Sequence, residues 1–258
     1  MTEEKIVEMT LSFANKRDEK IRVYVPAHEE GETMPVIYMT DGQNLFDEET
    51  TAFGSWKVHE TIKAERESSG KSAIIVGIHT VDPYRPNELL PGTIGRILCP
   101  DELRHMVAPE GEVFDDFVIN TVMSVIEEQF PVRKGRENTA FCGSSMGGLQ
   151  SFFTALSHPD IFSTAGVFSP AFQIYPPEDL NKWINSMIKD EMPYLYIYSG
   201  AGDPLEKIIY DSTERTYDML MECYPIDKLN EVIMLGYPHN ELAWEEIFKD
   251  FLHTFLFR

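Results

Sequence analysis

Thr139-Ala140-Phe141-Cys142-Gly143-Ser144-Ser145-Met146-Gly147-Gly148 is the stretch on which the reading of this chain turns. Thr139–Cys142 reads as a buried strand. The residues after it match G-x-S-x-G with Ser145 at the centre, and a helical run follows from about Gly148 to Leu156. Small residues on both sides of Ser145 permit a strained strand-to-helix turn that lifts its hydroxyl above the sheet edge. The plain alternative is a glycine-rich turn without chemistry. The rest of the chain has to decide between the two.

Working outward, short apolar runs alternate with longer amphipathic ones. The strand-like runs are Ile21–Val25, Pro35–Thr40, Ser72–His79, Thr139–Cys142, Ala165–Phe168, Tyr194–Tyr198 and Val232–Leu235. Val36-Ile37-Tyr38-Met39 and Ala73-Ile74-Ile75-Val76 are apolar without interruption, as a sheet covered on both faces requires. Phe114, Val118, Val122, Val125 and Ile126 recur at helical spacing, as do Trp244, Phe248, Phe251 and Phe255. Alternating strands and helices predict an α/β fold, a mostly parallel sheet of about eight strands with helices on both faces. The first two strands, with no helix between them, are expected to form an antiparallel N-terminal edge. No Ser- or Pro-rich linker divides the chain, so residues 1–258 are expected to form one domain. The irregular stretch 82–113 holds five prolines. A loop of that length is usually functional, and it follows a strand, where α/β folds open their crevice. It reads as a wall or lid.

The composition removes several classes of function. The chain of 258 residues carries 22 Lys plus Arg against 43 Asp plus Glu, a net charge of −21. That excess repels phosphates, so no nucleic acid and no membrane surface is expected as a partner. The start, Met1-Thr2-Glu3-Glu4-Lys5, shows no signal-peptide pattern, and no apolar run nears the ~18 residues of a span. Three cysteines without regular spacing fit reduced thiols, and the expected compartment is the cytoplasm. No CxxC or HExxH spacing occurs, so no metal is expected.

A serine hydroxyl needs a base and an orienting acid, and behind such an elbow these follow in the order acid, then His. Only His158, His239 and His253 follow Ser145. His158 ends the helix that starts at Ser145, and His253 lies in the last amphipathic run. His239 sits in the loop directly after a strand, where a base should hang. The acid belongs after Tyr194–Tyr198. Asp203 is the first carboxylate there and Glu206 lies three residues on; Asp203 is preferred because glycines shape the loop that presents it. Two backbone donors are needed for an oxyanion. Met146 N–H is one candidate, and the loop after Pro35–Thr40 supplies the other from Gln43 or Gly42. Asn44, Phe172, Asn240 and Trp244 are candidate substrate contacts; Phe172 reads equally as core, and Trp244 reads first as a helix-packing aromatic.

With these residues in hand, the sequence resembles the putative-esterase family of α/β-hydrolases, which includes esterase D, feruloyl and acetylxylan esterases and enterochelin esterases. The resemblance runs from Pro35 to Phe255. It rests on Val36–Asp47, on Arg85 with Glu88-Leu89-Leu90-Pro91, on Gly143–Gly148 and on His239–Trp244. It implies the α/β-hydrolase fold, Ser145, Asp203 and His239 as a triad, Gln43 and Met146 near the oxyanion, no cofactor, and a small-molecule ester as substrate. Many relatives carry Glu where this chain has Asp203. Arg85 and Glu88 are expected to form an ion pair bracing the loop. The expected activity is ester hydrolysis through an acyl-enzyme, on short-chain or aromatic acyl esters of sugars. Acyl transfer, siderophore or thioester hydrolysis, and a non-catalytic binding module are the alternatives.

Overall fold

The central strands are buried at every position, which only a sheet packed on both faces allows. The computed structural model describes residues 2–14, 16–47, 54–80 and 82–258. Its strands are β1 Lys5–Phe13, β2 Arg17–Val25, β3 Val36–Met39, β4 Ile74–Ile78, β5 Thr139–Ser144, β6 Thr164–Phe168, β7 Tyr194–Gly200 and β8 Leu229–Met234. They form one sheet in the order β1-β2-β4-β3-β5-β6-β7-β8. β1 and β2 are antiparallel to their neighbours, and β4 through β8 run parallel.

Side chains alternate across the pleat, so each strand feeds two cores. Tyr38, Val76, Phe141, Val167 and Ile197 enter one core. It is closed by α3 Gly111–Phe117, a π-turn Val118–Val122, α4 Met123–Gln129, α5 Met146–Ser157 and α6 Pro177–Met187, with α7 Pro204–Cys223 alongside. Ile37, Met39, Ile75, Cys142, Tyr196 and Tyr198 enter the other, closed by α1 Val58–Ser69 and α8 Glu241–Phe257. Trp244, Phe248, Phe251 and Phe255 are all buried there, on the face their spacing predicts.

One expectation is corrected. The antiparallel edge is β1–β2, whereas the sequence reading paired Ile21–Val25 with Pro35–Thr40; the latter is β3, a central parallel strand. β1 escaped notice because its residues alternate between exposed and half-buried and carry no continuous apolar run. The stretch 82–113 is not irregular throughout. It contains the short helix α2 Arg85–Glu88 and a 3₁₀ segment Asp101–Met106, and α3 starts inside it.

The order β4-β3-β5 places the function. From β3 the chain moves outward to β4, then returns to build β5 on the other side of β3. The loops after β3 and β5 therefore diverge from a topological switch point, where doubly wound sheets open a crevice at the carboxyl ends of their strands.

Candidate active site

Ser145 stands between β5 and α5 at φ 58°, ψ −122°, outside the regions an L-residue favours. The turn is held from three sides. Ser145 N–H donates to Phe168 O at 3.0 Å, and its carbonyl accepts from Leu149 N–H at 3.0 Å and Ala171 N–H at 3.1 Å. Gly143 is required by crowding: a Cβ there would lie 2.5 Å from Gly147 O and 2.4 Å from Thr40 Oγ1. Ser145 and Met146 are half-exposed while the residues around them are buried, so the turn surfaces at the sheet edge. Met146 opens α5, where N–H groups lack intrahelical partners and point outward.

His239 lies in the loop between β8 and α8, its side chain 11% exposed. Its Nδ1 meets Glu206 Oε2 at 2.5 Å. Glu206 is fully buried, and its other oxygen accepts from Gly200 N–H at 2.6 Å, Ser169 Oγ at 2.7 Å and Ser199 Oγ at 3.3 Å. A buried carboxylate is costly without such donors, and these satisfy it. Gly200 lets the two loops meet, because a Cβ there would fall 2.1 Å from Tyr237 O.

This corrects the sequence reading, which preferred Asp203 as the partner of His239. Asp203 is the N-cap of α7. Its Oδ1 accepts from Leu205 N–H at 2.8 Å and Glu206 N–H at 3.0 Å, and its Oδ2 accepts from the backbone N–H of His239 at 2.6 Å. The His239 N–H and these cap donors hold its carboxyl below the usual range. The signal was in the sequence: Asp203-Pro204-Leu205-Glu206 has a cap residue, Pro at the first helical position and Glu three after the cap. That pattern claims Asp203 for the helix end and turns Glu206 inward one turn later. Among the other two histidines, His158 caps α5 and contacts Asp115 through Nε2 at 2.6 Å, and His253 is exposed on α8.

The loop after β3 starts at Asp41, buried and left-handed at φ 54°. Gly42–Asn44 form a 3₁₀ turn with Gly42 pressed on β4: an added Cβ would lie 2.5 Å from the carbonyl carbon of Gly77. The Gln43 side chain is fixed beneath, its Oε1 accepting from Thr80 N–H and its Nε2 donating to Asp41 Oδ1, both at 3.2 Å. Arg85 grips Asp41 in a bidentate pair, Nε to Oδ1 at 2.6 Å and Nη2 to Oδ2 at 2.8 Å. Burial alone would raise the Asp41 carboxyl; Arg85, helped by Thr80 and Gln43, outweighs it and holds the group below its ordinary value. Arg85 and Glu88 are therefore not each other's partners. Glu88 pairs with Arg17 of β2, which also binds Glu19 at 2.8 Å.

The candidate substrate contacts separate. Asn44 Nδ2 donates to Glu241 Oε1 at 2.9 Å, tying the β3 loop to α8. Asn240 caps α8, its Oδ1 accepting from Ala243 N–H at 3.1 Å. Trp244 is 4% exposed, stands edge-on to His239 at 5.0 Å between ring centres, and gives its Nε1–H to Ser169 Oγ at 2.9 Å. It is part of the support beneath the histidine and offers no open face as a platform. Phe172 is buried against Phe152, yet it also lines a groove of about 230 Å³ with Leu98, Gln173, Tyr175, Ile208 and Arg215. Ser169, Trp244's partner, went unnoticed in the sequence because nothing local marks it.

Fold and site together are those of an α/β protein with a strained serine elbow at the carboxyl edge of its sheet. Residues 12–218 match the family model described as Putative esterase, and the chain belongs to that family. Over 92 residues it is 30% identical to the endo-1,4-beta-xylanase/feruloyl esterase of Xylanibacter ruminicola, a match spanning 36% of this chain and 11% of that protein. The solved siderophore hydrolase EstA of Aspergillus nidulans has a TM-score of 0.80 at 18% identity, covering 96% of this chain and 94% of that one. The enterobactin esterase FES of Shigella flexneri has a TM-score of 0.76 at 16% identity, covering 97% and 59%. The ferulic acid esterase AmCE1/Fae1A of Anaeromyces mucronatus has a TM-score of 0.68 at 20% identity, covering 98% and 91%. At these identities the likeness is one of fold. Among the described residues, no helix is long and apolar enough to cross a membrane, and no group of three or more His, Cys, Asp or Glu is placed to hold a metal ion.

Proposed function

We propose that the protein is a serine carboxylesterase working through an acyl-enzyme, with Ser145 as nucleophile, His239 as base and Glu206 as its orienting acid. The observation that carries this reading is Ser145 in its strained elbow after β5 together with a buried carboxylate, in the first turn of α7, 2.5 Å from the Nδ1 of His239 after β8. Glu206 keeps the Nδ1 proton in place, which leaves Nε2 unprotonated to take the Ser145 proton as its oxygen attacks the ester carbonyl. Met146 N–H and a donor from the Gly42–Gln43 turn receive the oxyanion. His239 then protonates the leaving alcohol, and in the second half-reaction it takes a proton from water as that water attacks the acyl-enzyme.

The substrates in this reading are short-chain or aromatic acyl esters of polar alcohols, such as acetylated or feruloylated sugars. The −21 charge opposes anionic lipid interfaces. The groove is lined by Phe172, one residue beyond Ala171, whose N–H donates to the Ser145 carbonyl; Ser145, Glu206 and His239 do not line it. Its volume of about 230 Å³ exceeds the roughly 150 Å³ that holds a benzene ring, enough for one aromatic acyl group. The named function of the Xylanibacter ruminicola relative points the same way.

Two measurements test this. A fluorophosphonate probe labels wild-type Ser145 and leaves Ser145→Ala unlabelled, with turnover lower by about 10⁴-fold or more. In a panel of acetyl, feruloyl and palmitoyl esters of one alcohol, kcat/KM favours the first two. Labelling of the Ala variant at the wild-type rate overturns the mechanism. A palmitoyl preference overturns the substrate class.

A further inference from the structure

The carboxylate of Glu206 is held by a chain of donors that starts on a different helix. Trp244 lies in the first turn of α8, and its indole N–H can only donate. It donates to Ser169 Oγ at 2.9 Å, and Ser169 Oγ stands 2.7 Å from Glu206 Oε1. A hydroxyl has one proton. With a Ser169 lone pair occupied by the indole, that proton is left for the carboxylate. Ser199 is a weaker donor, at 3.3 Å from Glu206 Oε1, and it also reaches Gly200 O at 3.2 Å. Ser169 itself is held in the left-handed region at φ 41° while its N–H donates to Tyr198 O at 2.7 Å. A non-glycine residue is strained there and persists only where its surroundings demand it.

We propose that Ser169 and Trp244 are positioning residues for the hydrolytic reaction, acting in series: Trp244 commits the Ser169 hydroxyl to Glu206, and the fixed Glu206 aims its other oxygen at His239. Oε1 receives Gly200 N–H from the end of β7 and Ser169 O–H from the loop after β6, so the carboxylate cannot rotate about its last bond without losing them. Trp244 also supports the far side of the couple, standing edge-on to the His239 ring. The same indole therefore bears on both members of the pair. This inference rests on His239 and Glu206 being base and acid.

The test is a double-mutant cycle read by kinetics and by proton NMR. Ser169→Ala lowers kcat on 4-nitrophenyl acetate about tenfold with KM unchanged, the effect of one charge-assisted hydrogen bond. Trp244→Phe keeps most of the ring volume, loses the donor and lowers kcat about fivefold. Because Trp244 acts through Ser169, the double variant is no slower than Ser169→Ala by more than about twofold. The low-field resonance of the proton between His239 Nδ1 and Glu206 moves in each variant. Independent packing roles would give a double variant slowed by the product of the single effects, or an unmoved resonance, and either result overturns the proposal. Should Trp244→Phe fail to fold, Ser169→Ala alone decides through kcat and the resonance. The NMR signal needs no turnover, so failure of fluorophosphonate labelling in the wild type would count against the esterase mechanism and leave the test of the relay intact.

Discussion

Replacing Glu206 by Gln changes a single atom and should nearly abolish turnover. Oε1 sits among donors from Gly200, Ser169 and Ser199, so the amide oxygen of Gln must occupy that position. The amide NH₂ then faces His239 Nδ1, where the carboxylate oxygen stood at 2.5 Å. Two donors cannot face each other, so Nδ1 gives up its proton and accepts, and the proton moves to Nε2. In the proposed mechanism, a base protonated on Nε2 cannot take the serine proton. A wrong-tautomer substitution of this kind costs on the order of 10⁴ in kcat. Asp203→Asn is the control. Its amide oxygen can still accept from Leu205 and Glu206 N–H, and only the contact to the His239 backbone N–H is lost. One such bond is worth about 1–3 kcal/mol, a loss of roughly ten- to hundredfold. The assay is kcat on 4-nitrophenyl acetate with unchanged circular dichroism. If Glu206→Gln keeps a tenth of the activity while Asp203→Asn is inert, the assignment of the acid is wrong.

Three further outcomes are expected. Gly200→Ala pushes a methyl into Tyr237 O and displaces the histidine loop; overpacking of this kind costs about 1–3 kcal/mol, read as a lower Tm, and kcat falls more than KM changes. Arg85→Gln strands the buried Asp41 carboxylate and lowers unfolding free energy by about 3–5 kcal/mol in urea titrations, whereas Arg104→Gln, on an exposed pair, changes it by less than about 1 kcal/mol. Burial pushes the Glu88 carboxyl up to about 7, above its unfolded value, so the folded state holds that proton more tightly and this group's contribution declines as pH rises to about 7. The Tm of Glu88→Gln relative to wild type should therefore improve between pH 5 and pH 8, and a constant difference would remove Glu88 from that account.

What was legible in the sequence was what local pattern encodes. The elbow at Ser145 needs only its own neighbours, and His239 needs only the strand before it. Where two side chains compete for one partner, chain order was a poor guide. Asp203 comes first after β7, but its cap role uses its oxygens on backbone N–H groups and Glu206 reaches the ring. The same limit explains Arg85 and Glu88, neighbours in sequence whose partners, Asp41 and Arg17, lie on separate strand ends. β1 was missed because a half-exposed edge strand lacks an apolar run, and its pairing with β2 supplies what its composition does not. The link from Trp244 through Ser169 joins residues 75 apart and has no sequence signature.

The stretch between Leu90 and Gly111 is closed at its base. Glu110 N–H donates to Asn87 O at 2.8 Å, Gly111 N–H donates to Leu90 O at 3.1 Å, and α2 beneath them is pinned through Arg85 and Glu88. Its crown carries exposed Leu98, Leu103 and Met106. A loop with a fixed neck is thermodynamically a module, since doubling its length costs only about 0.6 kcal/mol of closure entropy. Ile94 is buried in the core and Arg96 is paired with Glu178 and Asp179, so the freedom of this module lies at its exposed crown. Directed libraries confined to exposed Leu98, Leu103 and Met106 should leave Tm nearly constant, and a changed acyl preference from Leu98, which lines the groove beside Phe172, would make this crown a handle on specificity.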